Sequence, residues 1–174
     1  NNNYNNYNHK NKIYFIFKKY FKISSKKIFF IDHHLCHLNH AYQSWEKKHQ
    51  YATIGITLDA WGDGRNMTVW KIEKDNYELI SQSSECDVAR IYRMTTLYLN
   101  MMPLQHEFKV MGLAPYAKGS YSKKVKSILH ELIEVKNLKI VYKNRPKNLY
   151  KYLEKNFQYF RFDNIAQGLQ DFVE

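Results

Sequence analysis

The sequence predicts a mixed α/β domain of the α+β type, in which an antiparallel meander forms part of a mixed sheet and helices flank it. Apolar and polar residues alternate through 51–58, which is the period of a strand, and strand-like segments follow at 67–72 and 77–83. Apolar residues recur at helical spacing in 90–101 and 125–133. The 174 residues, of which 44% are hydrophobic, suffice for one folded domain.

The first 27 residues form a low-complexity lead-in that we expect to lie outside the folded domain, which we place at 28–174. Asparagine dominates 1–12 without an apolar period, which predicts disorder. Lysine and aromatic residues alternate in 10–27, which predicts a strand or an unstructured segment. The apolar run 28–31 predicts a buried strand that leads into the next helix.

Four of the eight histidines fall within eight positions, after an aspartate, Asp32, that can cap a helix. In a helix His33, His37 and His40 share one side, and leucine and aromatic residues share the other. His33 and His37 have the spacing at which two imidazoles reach one metal ion. The positive end of the helix keeps the rings neutral, which is the metal-binding form. A histidine pair at this spacing is also common as an ordinary surface or core feature.

An acidic, glycine-rich turn follows the first strand of the meander. Asp59 comes directly after the alternating segment, and open sheets bind ligands at the carboxyl ends of strands. Gly62 and Gly64 allow the backbone to turn tightly and to approach a phosphate. Asp63-Gly64 is also a strong hairpin signal, and the two interpretations are compatible.

Beyond the meander, the spacing of apolar residues predicts helices at 90–101, 125–133, 149–157 and 164–174 and a short strand at 138–142. The last helix has no C-cap, which predicts that the domain continues beyond this chain. The block 107–116 contains Gly112 and a proline and therefore predicts a loop, where functional residues concentrate. Lys109 in this loop either binds a phosphate as a point charge or forms an ion pair with Glu107.

Charge and cysteine content restrict the class of partner and the compartment. The net charge is +11, but the lysines are scattered, which is more typical of a solvated surface than of a nucleic-acid-binding stripe. Cys36 and Cys86 do not form a disulfide framework and indicate a reducing cytoplasm. Cys36 is expected to be a small buried thiol, with a soft metal ligand as the alternative. The longest apolar runs are too short for a membrane span or a secretory signal, so no membrane partner is expected.

Four blocks, in order, resemble the motifs of nodulation-type O-carbamoyltransferases. They are His33-His34-Leu35-Cys36-His37, Leu58-Asp59-Ala60-Trp61-Gly62-Asp63-Gly64, the block 107–116 and the block 163–170. The resemblance implies the amino-terminal domain of an actin-like ATPase-superfamily enzyme, related to the tRNA threonylcarbamoyl-transfer protein. The chain departs from the family pattern at His106, where the family has a glycine, and at Cys36 and Ala60.

The resemblance also implies a site. His33 and His37 would bind an iron-like divalent metal, most simply Fe²⁺, and Asp59 would lie beside the metal and a carbamoyl-adenylate. A further aspartate ligand would come from a part of the domain that this chain does not contain. The residues expected to contact the carbamoyl-adenylate or its phosphate are Asp59, Gly62, Asp63, Gly64, Lys109 and Gly112. No catalytic acid or base is assigned.

The expected function is therefore metal-assisted transfer of a carbamoyl group to a hydroxyl of a small molecule. The resemblance implies that a carboxyl-terminal domain of the same protein makes the carbamoyl-adenylate from ATP and carbamoyl phosphate, so the isolated chain is expected to be inactive. One alternative is carbamoyl-type transfer to tRNA, which the charge of +11 would suit. Another is a basic nucleic-acid-binding module without chemistry, whose affinity would fall steeply with salt and ignore metal.

Overall fold

A computed structural model describes residues 2–46, 50–74 and 76–174, with side chains from Lys10 onward. The chain divides into two compact units, Asn1–Glu46 and Lys47–Glu174. The predicted α+β class is confirmed, because seven helices accompany two antiparallel sheets in the described residues. None of the described helices is both long enough and apolar enough to cross a membrane.

The first unit contains helix α1 (Asn2–Phe21), a short 3₁₀ helix (Ser25–Lys27) and helix α2 (His33–Gln43). The structure thus has a helix where the sequence predicted disorder in 1–12 and a strand or an unstructured segment in 10–27. The segment of α1 contains neither glycine nor proline, so nothing interrupts the helix. Its last turn has Lys18 and Lys19, whose charges favour the negative end of the helix dipole.

The prediction of a buried strand at 28–31 is wrong. Its residues form no described ladder, and Phe29 and Ile31 are 82% and 68% exposed. A short apolar run becomes a buried strand only when neighbouring strands pair with it and cover its faces. The apolar composition of the run therefore does not establish its burial.

In the second unit, strands β1 (Thr53–Gly62), β2 (Arg65–Glu73) and β3 (Asn76–Ser83) form the predicted antiparallel meander, in the order β1-β2-β3. The described ladders are all antiparallel, so the parallel part of the expected mixed sheet is not among them. The turn predicted between β2 and β3 includes Asp75, which lies outside the described residues.

Five helices and a second hairpin follow the meander. They are α3 (Val88–Tyr98), α4 (Glu107–Leu113) with a 3₁₀ turn at Ala114–Tyr116, α5 (Tyr121–His130), strands β4 (Ile133–Lys136) and β5 (Lys139–Tyr142), α6 (Leu149–Phe157) and α7 (Phe162–Val173). The helices predicted at 90–101, 125–133, 149–157 and 164–174 are confirmed as α3, α5, α6 and α7, although α3 ends at Tyr98 and α5 at His130. The predicted loop at 107–116 is wrong, because α4 and the 3₁₀ turn occupy it.

The core of the second unit lies between one face of the meander and these helices. Met67 and Val69 of β2 belong to the same buried cluster as side chains from α3 to α7. Its fully buried members include Ile91, Val110, Val125, Leu129, Leu153, Phe157 and Leu169. Burial of such side chains contributes about 1.5–3 kcal/mol each to folding.

A polar cluster joins the start of α3 to β5. Asp87 lies 3.4 Å from Arg90 and 3.8 Å from Arg145, and its carboxylate also accepts a hydrogen bond from Tyr142. Burial, reinforced by the charge of Asp87, raises the pKa of Tyr142 to about 12. The hairpin β4–β5 is therefore attached to α3 through polar contacts as well as through the core.

Candidate functional site

The histidine helix α2 begins as the sequence predicts. Asp32 is its N-cap, and its Oδ1 accepts a hydrogen bond of 2.9 Å from the Leu35 backbone N–H. The buried face of α2 differs in part from the prediction. His34, Leu38 and Tyr42, each four residues apart, are buried, whereas Trp45 is exposed beyond the end of the helix. His34 thus occupies an apolar row that periodicity alone gave to leucine and aromatic residues.

His33 and His37 converge on the neighbouring row of α2. Their Nε2 atoms are 3.0 Å apart, and their rings meet edge to face with centroids 4.6 Å apart. Without a metal, one ring donates an Nε2–H to the lone pair of the other. Two nitrogens each about 2.1 Å from one metal and at right angles to each other would lie about 3.0 Å apart. The separation therefore fits a pair of adjacent metal ligands.

Two other residues of α2, His40 and Cys36, lie outside this pair. His40, predicted on the same side, is exposed and one turn further along the helix. Cys36 is exposed, so the expectation of a small buried thiol is wrong. The reason is the rotation of α2: the row of His34 and Leu38 is the buried one, and Cys36 lies outside it.

Asp59 lies in β1 at a break in the ladder. Leu58 pairs with Met67 and Gly62 pairs with Arg65, so three residues of β1 face one residue of β2. The Asp59 carboxylate accepts a hydrogen bond of 2.6 Å from the Ala60 backbone N–H. The strand continues to Gly62, beyond the predicted end, but its regular pairing stops at Leu58. A carboxylate at such a bulge is held by the local backbone and has an altered direction relative to the ladder.

The glycine-rich segment 62–64 forms the predicted hairpin turn. Asp63 and Gly64 both have positive φ, at 49° and 81°, and they connect the paired residues Gly62 and Arg65. These signs are those of a two-residue type I′ turn, whose twist matches that of the strands. The role of these residues in binding a phosphate stays a prediction.

Lys109 and Gly112 both lie on α4, one turn apart, rather than in a loop. The alternative of an ion pair between Lys109 and Glu107 is wrong, because residues two apart on a helix do not face each other. Glu107 instead accepts a hydrogen bond of 2.7 Å from the Leu104 backbone N–H.

The contact of Lys109 is with a residue that sequence reasoning did not select. Its Nζ lies 3.0 Å from Nε2 of His106, and 5.9 Å from the centre of the exposed Phe108 ring. The other ring nitrogen of His106, Nδ1, accepts a hydrogen bond of 3.1 Å from the Met102 backbone N–H. The available signal was the i, i+3 spacing of a histidine and a lysine across the start of a helix.

Tyr92 of α3, a half-buried residue, lies near Glu107 at the start of α4. Burial first, and then the negative charge of Glu107, raise the pKa of Tyr92 to about 12. Its hydroxyl donates a hydrogen bond of 3.4 Å to the Gln170 side chain, which connects α3 with α7. The protonated phenol thus links α3 to α7.

These observations define a mixed α/β chain whose first unit has two converging imidazoles on α2 and whose second unit has a carboxylate at a bulge of its sheet. The whole chain, residues 1–174, matches the family model for the carbamoyltransferase N-terminus, and the chain belongs to that family. The matched range includes the first 27 residues, and the domain boundary at residue 28 stays a prediction.

Two relatives come from Methanocaldococcus jannaschii. The uncharacterized protein MJ1058 is 30% identical over 111 residues, which cover 56% of this chain and 18% of the relative. The uncharacterized protein MJ1051 is 32% identical over 93 residues, which cover 53% of this chain and 17% of the relative. The chain therefore spans less than a fifth of the length of the relatives that it matches.

Proposed function

We propose that this chain is part of a nodulation-type O-carbamoyltransferase that transfers a carbamoyl group from carbamoyl-adenylate to a hydroxyl of a small molecule. Membership in the carbamoyltransferase family supports carbamoyl transfer. The converging nitrogens of His33 and His37 are the observation that carries the metal-assisted form of the proposal. An actin-like architecture for the complete domain is part of the same proposal.

In this proposal His33, His37 and Asp59 hold a divalent metal. Two histidines and one carboxylate, with the remaining positions open, are a ligand set typical of non-haem Fe²⁺. The metal would act as a Lewis acid that polarises the carbamoyl oxygen or the acceptor hydroxyl. The Asp32 cap holds the first turn of α2, and the ladder break holds Asp59, so each ligand has a defined local support.

The remaining predicted site residues would bind the phosphate side of the substrate. The turn 62–64 offers backbone N–H groups with φ values that bulky residues avoid. Lys109 and Gly112 offer a positive charge and an open surface on α4. ATP and carbamoyl phosphate would be consumed by a carboxyl-terminal domain of the same protein in a reducing cytoplasm.

Transfer to tRNA is a second candidate, and the net charge of +11 is the observation that favours it. The scattered lysines and the match of block 107–116 to the small-molecule branch favour the first candidate. A basic nucleic-acid-binding module without chemistry is distinguished from both by its indifference to metal.

The test follows radiolabelled carbamoyl phosphate into an alcohol acceptor, with the full-length protein and ATP. We expect transfer by the full-length protein, none by the isolated chain, and loss of transfer after metal chelation or in the variants His33→Ala and His37→Ala. His40→Ala, on the same helix but outside the converging pair, is the matched control. Transfer that survives complete metal removal would contradict the proposal, and modification of tRNA alone would favour the second candidate.

A further inference from the structure

His106 and Lys109 bring two nitrogens to one point at the start of α4. Nε2 of His106 and Nζ of Lys109 are 3.0 Å apart, the imidazole is half-buried and the lysine is exposed. A distance of this size normally joins a donor to an acceptor. The contact is therefore a hydrogen bond between the two side chains only if one of these two nitrogens can accept.

The second ring nitrogen settles the tautomer of His106. The Met102 backbone N–H donates to Nδ1 over 3.1 Å, so Nδ1 must present its lone pair. In a neutral imidazole the proton then resides on Nε2, which makes Nε2 a donor. The ammonium group of a lysine has three donors and no acceptor. Both nitrogens thus present hydrogens to the same point, and neither accepts from the other.

Two converging donors, one of them cationic, are the arrangement that an anionic oxygen satisfies. An oxygen about 2.8 Å from each nitrogen forms a nearly equilateral triangle with two nitrogens that are 3.0 Å apart. The carboxylate of Glu107, the residue next to His106, accepts its hydrogen bond from the Leu104 backbone N–H. We propose that His106 and Lys109 form a phosphate-binding site, in which one phosphate oxygen accepts hydrogen bonds from both side chains.

The site is specific to this chain, because His106 stands where the family that the sequence resembles has a glycine. The Met102 contact gives His106 a fixed orientation before any ligand binds, which lowers the entropic cost of binding. Assigning the bound phosphate to a carbamoyl-adenylate rests on the proposed function. Binding of phosphate itself does not rest on it.

The test titrates inorganic phosphate into the isotope-labelled 174-residue chain at constant ionic strength, with chloride as the reference anion. Nuclear magnetic resonance follows the His106 ring and the Met102 amide. The variant His106→Asn removes the Nε2 donor while its side-chain oxygen can still accept from Met102. Lys109→Met removes the charge and keeps the aliphatic stem. Lys124→Met is the matched control, because Lys124 is also an exposed lysine above an aromatic ring, that of Tyr121.

We expect saturable, phosphate-specific shifts at His106, weakened about tenfold by either His106→Asn or Lys109→Met and unchanged by Lys124→Met. Absence of shifts at His106 would overturn the site, as would equal affinity in both variants and the parent. Equal weakening by Lys124→Met would show general charge attraction and would also overturn it. If His106→Asn does not fold, the phosphate affinity of Lys109→Met tests the site, because Lys109 is exposed and its substitution does not disturb the core. Since no metal, ATP or acceptor is present, failure of carbamoyl transfer leaves this result unaffected.

Discussion

Gly168 of α7 packs directly against Val125 of α5. A Cβ added to Gly168 would lie 2.5 Å from Cβ of Val125 and 2.6 Å from the backbone oxygen of Ser122. Such distances are far below van der Waals contact, so the two helices approach each other at the one position without a side chain. A glycine inside a helix normally weakens it, and here the close packing offsets that loss.

Gly168→Ala should therefore destabilise the second unit. We expect the free energy of unfolding to fall by about 1–3 kcal/mol, because the added methyl group forces apart a packed helix pair. Chemical denaturation measures the change. Gly112→Ala is the control, since a Cβ there meets nothing within 4 Å in α4. It should raise stability by about 0.5–1 kcal/mol, and equal effects of the two substitutions would contradict the packing argument.

Stability should fall at alkaline pH through Tyr142. Burial and Asp87 raise its pKa from 10.0 to about 12, so the fold favours the protonated phenol. This contribution is complete below pH 10, the unfolded value, and is lost as the pH rises through about 12. Tyr92 acts in the same direction.

Tyr142→Phe should accordingly show a smaller loss of stability between pH 10 and 12 than the parent, although it begins less stable because Asp87 loses a hydrogen bond. Thermal unfolding across this range, with tyrosinate absorbance, measures both effects. Tyr159→Phe, at an exposed tyrosine, is the control and should leave the profile unchanged. An identical alkaline profile in Tyr142→Phe and the parent would exclude the assignment.

Substitution of the α2 cap should lower stability and metal affinity together. Asp32→Ala removes the acceptor for the Leu35 backbone N–H and should cost about 1 kcal/mol, whereas Asp32→Asn preserves a capping oxygen. Denaturation and Fe²⁺ titration of the three proteins make the comparison. In the alanine variant only, fraying of the first turn of α2 would disturb the His33 and His37 pair and lower its affinity for Fe²⁺. A cap role is ruled out if the asparagine and alanine variants behave alike.

The metal proposal predicts weak Fe²⁺ binding by the isolated chain, since the resemblance places one further ligand outside it. Metal content after chelation and reconstitution should fall in His37→Ala and in Asp59→Asn. His40→Ala should retain the metal content of the parent. Equal, stoichiometric occupancy in the parent and in His37→Ala would eliminate the assignment of this pair.

The elements that the sequence predicted correctly have their signal in local periodicity. Helix α6 has the predicted bounds because its apolar stripe, formed by Leu149, Leu153 and Phe157, is buried. Strand β1 was recognised by its alternation, although the alternating side chains of Ile54, Ile56 and Leu58 are exposed and Thr57 is buried instead. Segment 28–31 and α4 were mispredicted for opposite reasons. The first is apolar without a described strand partner, and the second contains Gly112 and Pro115 at positions that helices tolerate, near the end of α4 and in the first turn of the next helix. Strand β4 was missed because Leu132 and Ile133 continue the apolar spacing of α5.

For the candidate site, spacing identified the convergence of His33 and His37, since four residues make slightly more than one helical turn. It did not identify the contact of Lys109 with His106, which depends on the Met102 backbone and on a loop in which Leu104 has a positive φ of 67°. Composition does not encode such a loop conformation. The bulge at Asp59 was not predicted from the sequence either, because the irregular pairing begins after Leu58 and leaves the alternation of the preceding residues intact.

The two-residue turn at Asp63 and Gly64 has a consequence for how this protein tolerates insertions and deletions. A tight turn leaves no slack, so a change of length in β1 is either absorbed in the irregular pairing between Leu58 and Gly62 or shifts the regular ladder. Loss of one residue within 59–61 is expected to leave the pairs from Thr53 to Leu58 in register, because that segment is already irregular. Loss of one residue within 53–58 would instead move the side chains that precede it to the opposite side of the sheet, and a library of single deletions along β1 would separate the two regions.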